Sequence, residues 1–289
     1  MSFKIPDKHK VSRADLALLP KPMSLGRLHQ PLPHHDLMEA IQKQIDERFF
    51  KRMVDGNAVY DLKLELISEA HGLLSTSVGS GTELFSNLVF NVYKDRGNTL
   101  IEALNGEANY SLAVLNSNAR KYALTFFPGA IIGICTNGMM IKDVRGDVVK
   151  KKHITTMSAI SEIERGLQSF CDSIQIIEKV CDIMQTTYIK SWQLSEALIR
   201  FGESGTMCPS MVFKTLAEYK SKQHEDKHGT DTLWSLYNAG TEVIKESTLG
   251  VQRRVMHGMQ DNFVEVDLMP SVAEIKKTII TPTLELVNN

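Results

Sequence analysis

The densest run of chemistry-bearing side chains in this 289-residue sequence is His224-Glu225-Asp226-Lys227-His228. On a helix, two histidines four apart set their imidazoles one turn apart, a spacing that can hold zinc, with the glutamate placed as general base of a hydrolase. Here both middle positions, Asp226 and Lys227, are charged, Gly229 ends the helix, and Lys220 to Gln223 ahead of it is strongly polar. A zinc centre needs a dry first shell braced by further hydrogen bonds, whereas this string reads as a solvated helix end. Glu242 and Glu246 are the nearby candidates for a third ligand. Zinc hydrolysis stays as an alternative, and the expectation is no metal.

A second concentration of function-capable residues is cationic. Lys142, Arg145, Lys150, Lys151, Lys152 and His153 stand against Asp143 and Asp147, on a hairpin expected to turn at Arg145-Gly146-Asp147. Such a cluster could bind a phosphate backbone. It would equally serve as a lysine-studded sheet edge that discourages pairing with other chains. Other chemistries lack an anchor. Gly79-Ser80-Gly81 misses the third glycine of a dinucleotide loop, and neither a GxxxxGK[ST] phosphate loop nor a GxSxG nucleophile elbow occurs. The expectation is therefore a protein without cofactor and not an enzyme.

The elements that would carry these residues follow from changes of hydrophobic period. Residues 1–35 form an extended arm, because Leu19-Pro20-Lys21-Pro22 and Gln30-Pro31-Leu32-Pro33 push the backbone out of the helical region. Leu37, Ile41, Ile45 and Phe49 make one helical stripe, with Asp36 as candidate cap. From Val59 the period is two, as in Leu62, Leu64 and Leu66, and it returns in Leu84 to Tyr93, Tyr110 to Leu115, Lys121 to Phe127 and Ile131 to Cys135. Asn116-Ser117-Asn118 and Pro128-Gly129 are read as the turns of an antiparallel meander. Then Ile160, Ile163, Leu167, Phe170, Ile174, Ile177, Cys181, Met184 and Tyr188 trace a sustained heptad seam, which could be satisfied within the chain or between chains. Further helices are expected at Trp192 to Phe201, Pro209 to Gln223, Asp231 to Glu246 and Val251 to Gln260.

The predicted class is α+β. An antiparallel β-rich core (36–155, with its leading helix) precedes a mainly helical region (156–262) that contains one long heptad-patterned helix and packs on the sheet; a tail follows (263–289). Net charge is −1 with a pI near 6.8, so the whole molecule lacks the positive field of a dedicated duplex-DNA binder. No apolar run approaches the roughly 20 residues of a membrane span, and the charged N-terminus is no secretory signal. Four cysteines without a CxxC pair suit buried thiols in a reducing cytoplasm.

Two distant segments make a pair. Tyr110 to Asn118 runs on to Gly133-Ile134-Cys135-Thr136-Asn137-Gly138-Met139 and His153, and a later helix reads Leu233-Trp234-Ser235-Leu236-Tyr237-Asn238-Ala239-Gly240-Thr241-Glu242. Over roughly Val59 to Gln260 this resembles the phage and plasmid-like family known as domain of unknown function 932. The pattern departs at Ala119 to Lys121 and after Glu242, where Ile244-Lys245 stands. The resemblance implies a mobile-element origin and a cytoplasmic protein of the host cell, with Cys135, Thr136, Asn137, Gly138, Trp234, Tyr237, Asn238, Thr241 and Glu242 as motif residues. Asn137-Gly138 would suit a tight turn on which Asn238 and Thr241, three apart on one helix face, dock polar groups. The leading expectation is a single-stranded nucleic-acid binding or annealing accessory. A host-protein interaction module or inhibitor is the alternative, and a homo-oligomer would fit either.

Overall fold

The computed structural model describes residues 5, 9–27, 29–48, 50–54, 57–73, 83–94, 99–100, 108–121, 123–132, 137–140, 150–151, 159–221, 231–245, 247 and 249–287. Along the chain come β1 (Lys10–Val11), α1 (Arg13–Leu18), α2 (His34–Glu47), β2 (Phe50–Val54), β3 (Asn57–Leu73), β4 (Glu83–Lys94), β5 (Thr99–Leu100), β6 (Ala108–Ser117), β7 (Leu124–Ile132), β8 (Asn137–Met140) and β9 (Lys150–Lys151). Helices then take over: α3 (Ala159–Thr186), α4 (Ser191–Glu203), α5 (Pro209–Lys220), α6 (Leu233–Ile244), α7 (Leu249–Glu265) and α8 (Val272–Val287). The expected α+β class is present, strands first and helices second.

All strands join one antiparallel sheet of order β1-β3-β4-β6-β7-β8, with β2 also on β3, β5 on β4 and β9 on β7. Directly opposed residues of antiparallel strands share a face. The register sets Leu64 opposite Val92, Phe90 opposite Leu66 and Tyr110, Leu88 opposite Leu112, and Val114 opposite Phe126, which together make one apolar surface. The 28-residue α3, about 42 Å long, lies across it. Phe170 meets Phe90 at 5.3 Å between ring centres, and Tyr110 donates from its hydroxyl to Glu178 at 2.6 Å. At Gly166 the helix comes so close that a Cβ would stand 2.5 Å from the Phe126 ring.

The heptad seam is therefore satisfied inside the chain. Ile163, Leu167, Phe170, Ile174, Ile177, Cys181 and Met184 are all buried, and only the seam's ends, Ile160 and Tyr188, are exposed. α3 also meets α2, α6 and α8, so it is the axis of the helical half. α6 is buried on every side from Leu233 to Thr241, sandwiched between α3, α5 and α7. A helix so placed can be apolar all round.

Four sequence expectations are corrected. Pro128-Gly129 is not a turn: β7 runs straight through, with Pro128 opposite Leu112 and Gly129 opposite Ser111. Asn137-Gly138 is likewise strand, paired with Ile132 and Ile131. Asp36 does not cap α2; the helix starts at His34 behind Pro33, and Asp36 sits in its first turn, where the helix dipole favours an anion. The segment after 263 is not a bare tail, since α7 reaches Glu265 and α8 follows, packed on α3.

Candidate functional site at the basic end of the sheet

The two lysines of β9 pair with the opening of β7, Lys150 opposite Thr125 and Lys151 opposite Leu124. That pairing brings Lys150 and Lys151 to the end of the sheet where β6 turns into β7 through residues 118–121. Lys142, Arg145, Lys152 and His153 lie outside the described residues, as does the expected turn at Arg145 to Asp147. The β6–β7 turn adds two exposed cations. Arg120 holds a left-handed backbone at φ 62° and packs its guanidinium against Gly26 of the arm. Lys121 pairs at 2.7 Å with Glu83, whose side chain is otherwise buried.

The arm closes over this end. Buried Asn116 donates to the Leu32 carbonyl and meets His34 Nδ1 at 2.9 Å, while Asn118 accepts from the Leu32 N–H at 2.8 Å. Ser24 donates to the carbonyls of Gly26 and His29, and His29 Nδ1 accepts from the Leu25 N–H, which draws His29 back onto residues 24–26 beside Arg120. Burial, with the Arg120 charge beside it, pushes the His29 imidazole below its usual value. Between arm, α1, α2 and the 118–119 turn lies a cleft of about 540 Å³, lined by Leu16, Pro20, Lys21, Pro22, His34 and His35 among others. α2 has no side-chain cap, so the partial positive charge of its first-turn N–H groups adds to that of Lys21, which lines the cleft, while exposed Arg120 follows the lining residues Asn118 and Ala119 in the chain. Asp36 is the one carboxylate among the cleft's lining residues.

Toward the C-terminal end of β3, at this same end of the sheet, sits a polar chain that sequence reasoning missed. Ser86 Oγ lies 2.7 Å from His71 Nδ1, His71 Nε2 lies 3.2 Å from Glu69, and Arg13 of α1 grips Glu69 with Nε and Nη2 at 2.7–2.9 Å. Arg13 further reaches Glu39 and Gln42 of α2. The order serine, histidine, carboxylate resembles a hydrolytic relay, yet Ser86 is fully buried and its hydroxyl meets no substrate. Burial would raise the Glu69 carboxyl, but hydrogen bonds from Arg13 and His71 outweigh it and hold the group below its ordinary value. Burial lowers the His71 imidazole despite its carboxylate partner. Arg13 thus ties α1 and α2 to the sheet through Glu69. Glu69 and His71, two apart, share a strand face, but the alternating pattern of Leu62, Leu64 and Leu66 stops at the register shift beside Ile67, so the continuation went unread.

The paired motif residues meet as elements: α6, with Trp234, Tyr237, Asn238 and Thr241, lies against β8, which carries Asn137 and Gly138. All four side chains on α6 are buried. Thr241 donates to its own helix at the Asn238 carbonyl, 2.9 Å away, and Glu242 pairs with Lys245. Cys135 and Thr136 lie outside the described residues, as do His224, Glu225 and His228. Of the thiols expected to be buried, Cys171 and Cys181 are, and burial raises both; Cys208 instead is exposed at the start of α5, where a hydrogen bond with Ser210 lowers it. Among the described residues no helix is long and apolar enough to cross a membrane. Compared with family models, curated proteins and solved structures, the chain finds no match.

Proposed function

We propose that this chain binds single-stranded nucleic acid at the basic end of its sheet, as a binding or annealing accessory of a phage or plasmid acting in the host cytoplasm. One observation carries the reading. The β9–β7 pairing sets Lys150 and Lys151 at the start of β7, the end of the sheet that also carries the 118–121 turn with Arg120 and Lys121, so cations far apart in sequence share one end of the fold. A backbone-tracking groove needs such a local concentration, because the molecule as a whole is slightly acidic. The resemblance of the α6 and β8 motifs to domain of unknown function 932 supports the mobile-element origin.

The test is fluorescence anisotropy of a labelled single-stranded oligonucleotide over a salt series. Affinity should fall steeply with salt, and replacing Lys150, Lys151 and Lys152 by Ala should reduce the slope by about 2, since each phosphate contact on a single strand contributes roughly 0.7. Absence of binding at low salt, or a slope unchanged in the triple variant, removes the reading.

A further inference from the structure

We propose that the cleft between the arm, α1, α2 and the 118–119 turn takes one nucleobase of a bound single strand. The inference deepens the nucleic-acid reading and rests on it: phosphates follow the cations at this end of the sheet, and a base turns out of the strand into the cleft. Position comes first. Ala119 lines the cleft and Arg120 follows it in the chain, while the Arg120 guanidinium lies against Gly26, next to the lining residue Leu25. Exposed Arg120 therefore stands at the edge of the cleft, where it can hold a backbone phosphate while the attached base points inward.

Size and lining agree. At about 540 Å³ the cleft falls in the range of small-molecule sites. Its walls are mostly apolar, with Leu16, Pro20, Pro22 and Met23 among them. Inside, Lys21 and the open first turn of α2 are largely offset by Asp36 in that same turn, so little there repays the desolvation of a phosphate, and a flat uncharged ring fits instead. Half-buried His35 lines the cleft as well, and histidine is among the side chains on which unstacked bases lie. The decisive residue is Asn118. It lines the cleft at only 4% exposure and spends its Oδ1 on the Leu32 N–H, yet its amide N–H groups donate to no described residue. A polar group so deeply buried ordinarily has its hydrogens bonded, and a carbonyl or ring nitrogen on a base edge is the acceptor it lacks.

Fluorescence anisotropy of the full chain with two labelled strands of equal length tests this, one strand intact and the other built of abasic sites, so that both carry the same phosphates. Both should bind with the same salt slope, because the slope counts phosphate contacts. The intact strand should bind about fivefold more tightly or better, the low end of what stacking one base contributes. Ala17→Leu with Ala119→Leu narrows the cleft at two of its lining positions without adding a ring or a charge, and should make the two affinities equal. Asn118→Asp keeps the acceptor for Leu32 but removes the donor, and should shrink the preference for the intact strand. If the double variant melts early, Asn118→Asp carries the comparison. Failure of both strands to bind at low salt removes the nucleic-acid reading and this proposal with it. Equal binding of the two strands by the wild type overturns the cleft alone and leaves the cationic end standing, and so does a preference that survives in both variants.

Discussion

α3 and α4 follow one another in sequence, and both space apolar residues at helical intervals, yet they use them oppositely. α3 spends its seam on the sheet: Phe170 is fully buried against Phe90, and Gly166 brings the helix backbone onto Phe126. α4 buries one stripe, with Phe201 5.7 Å from Phe263 of α7, and leaves Trp192 and Ile199 outside. Their glycines separate in the same way. A Cβ at Gly166 would collide with a ring, whereas at Gly202 it would meet nothing within 4 Å. Identical periodicity thus marks a core in one helix and a surface in the other. What differs is whether both flanks of the helix are covered.

Three substitutions sharpen or break this contrast, all read by denaturant melts. The largest effect belongs to Phe170→Ala, which should cost about 3–5 kcal/mol by opening a cavity between α3 and β4. Less than about 1 kcal/mol would mean that α3 is loosely seated. Gly166→Ala comes next: overpacking against Phe126 should cost about 1–3 kcal/mol, despite alanine's better helix propensity. The smallest change has the opposite sign. Gly202→Ala has open space and a helical backbone, and should stabilise by at most about 1 kcal/mol. Equal losses at the two glycines would erase the distinction between a covered and an uncovered helix.

Much of the architecture was legible because period alone carries it. The seam from Ile163 to Met184 gave α3 nearly to its ends, and the starts of α4 and α5 were placed within a residue. What the residues could not disclose was non-local. β3 reaches Leu73 rather than stopping near Leu66, because the register shift beside Ile67 breaks the alternation. Pro128-Gly129 looks like a turn until its pairing with Leu112 and Ser111 of β6 is known. Lys150 and Lys151 were identified as cations, but their proximity to Arg120 rests on strand pairing across some 30 residues of sequence. Arg13, Glu69, His71 and Ser86 carry no local motif at all. Only the sheet register and the arm's path bring them together.

The outer edge of β3 has a consequence for the protein at high concentration. At 17 residues β3 is the longest strand, and a bare edge of that length would template pairing with other chains. Here β2 takes Asn57 to Leu62 and the short β1 takes His71 and Gly72. The stretch between them carries Lys63, Glu65 and Glu69 and is kinked by the irregularity beside Ile67. Arg13, by fastening α1 to Glu69, holds β1 in place as a guard on that edge. The arm that lines the cleft therefore also covers part of an edge that would otherwise be open to pairing with other chains.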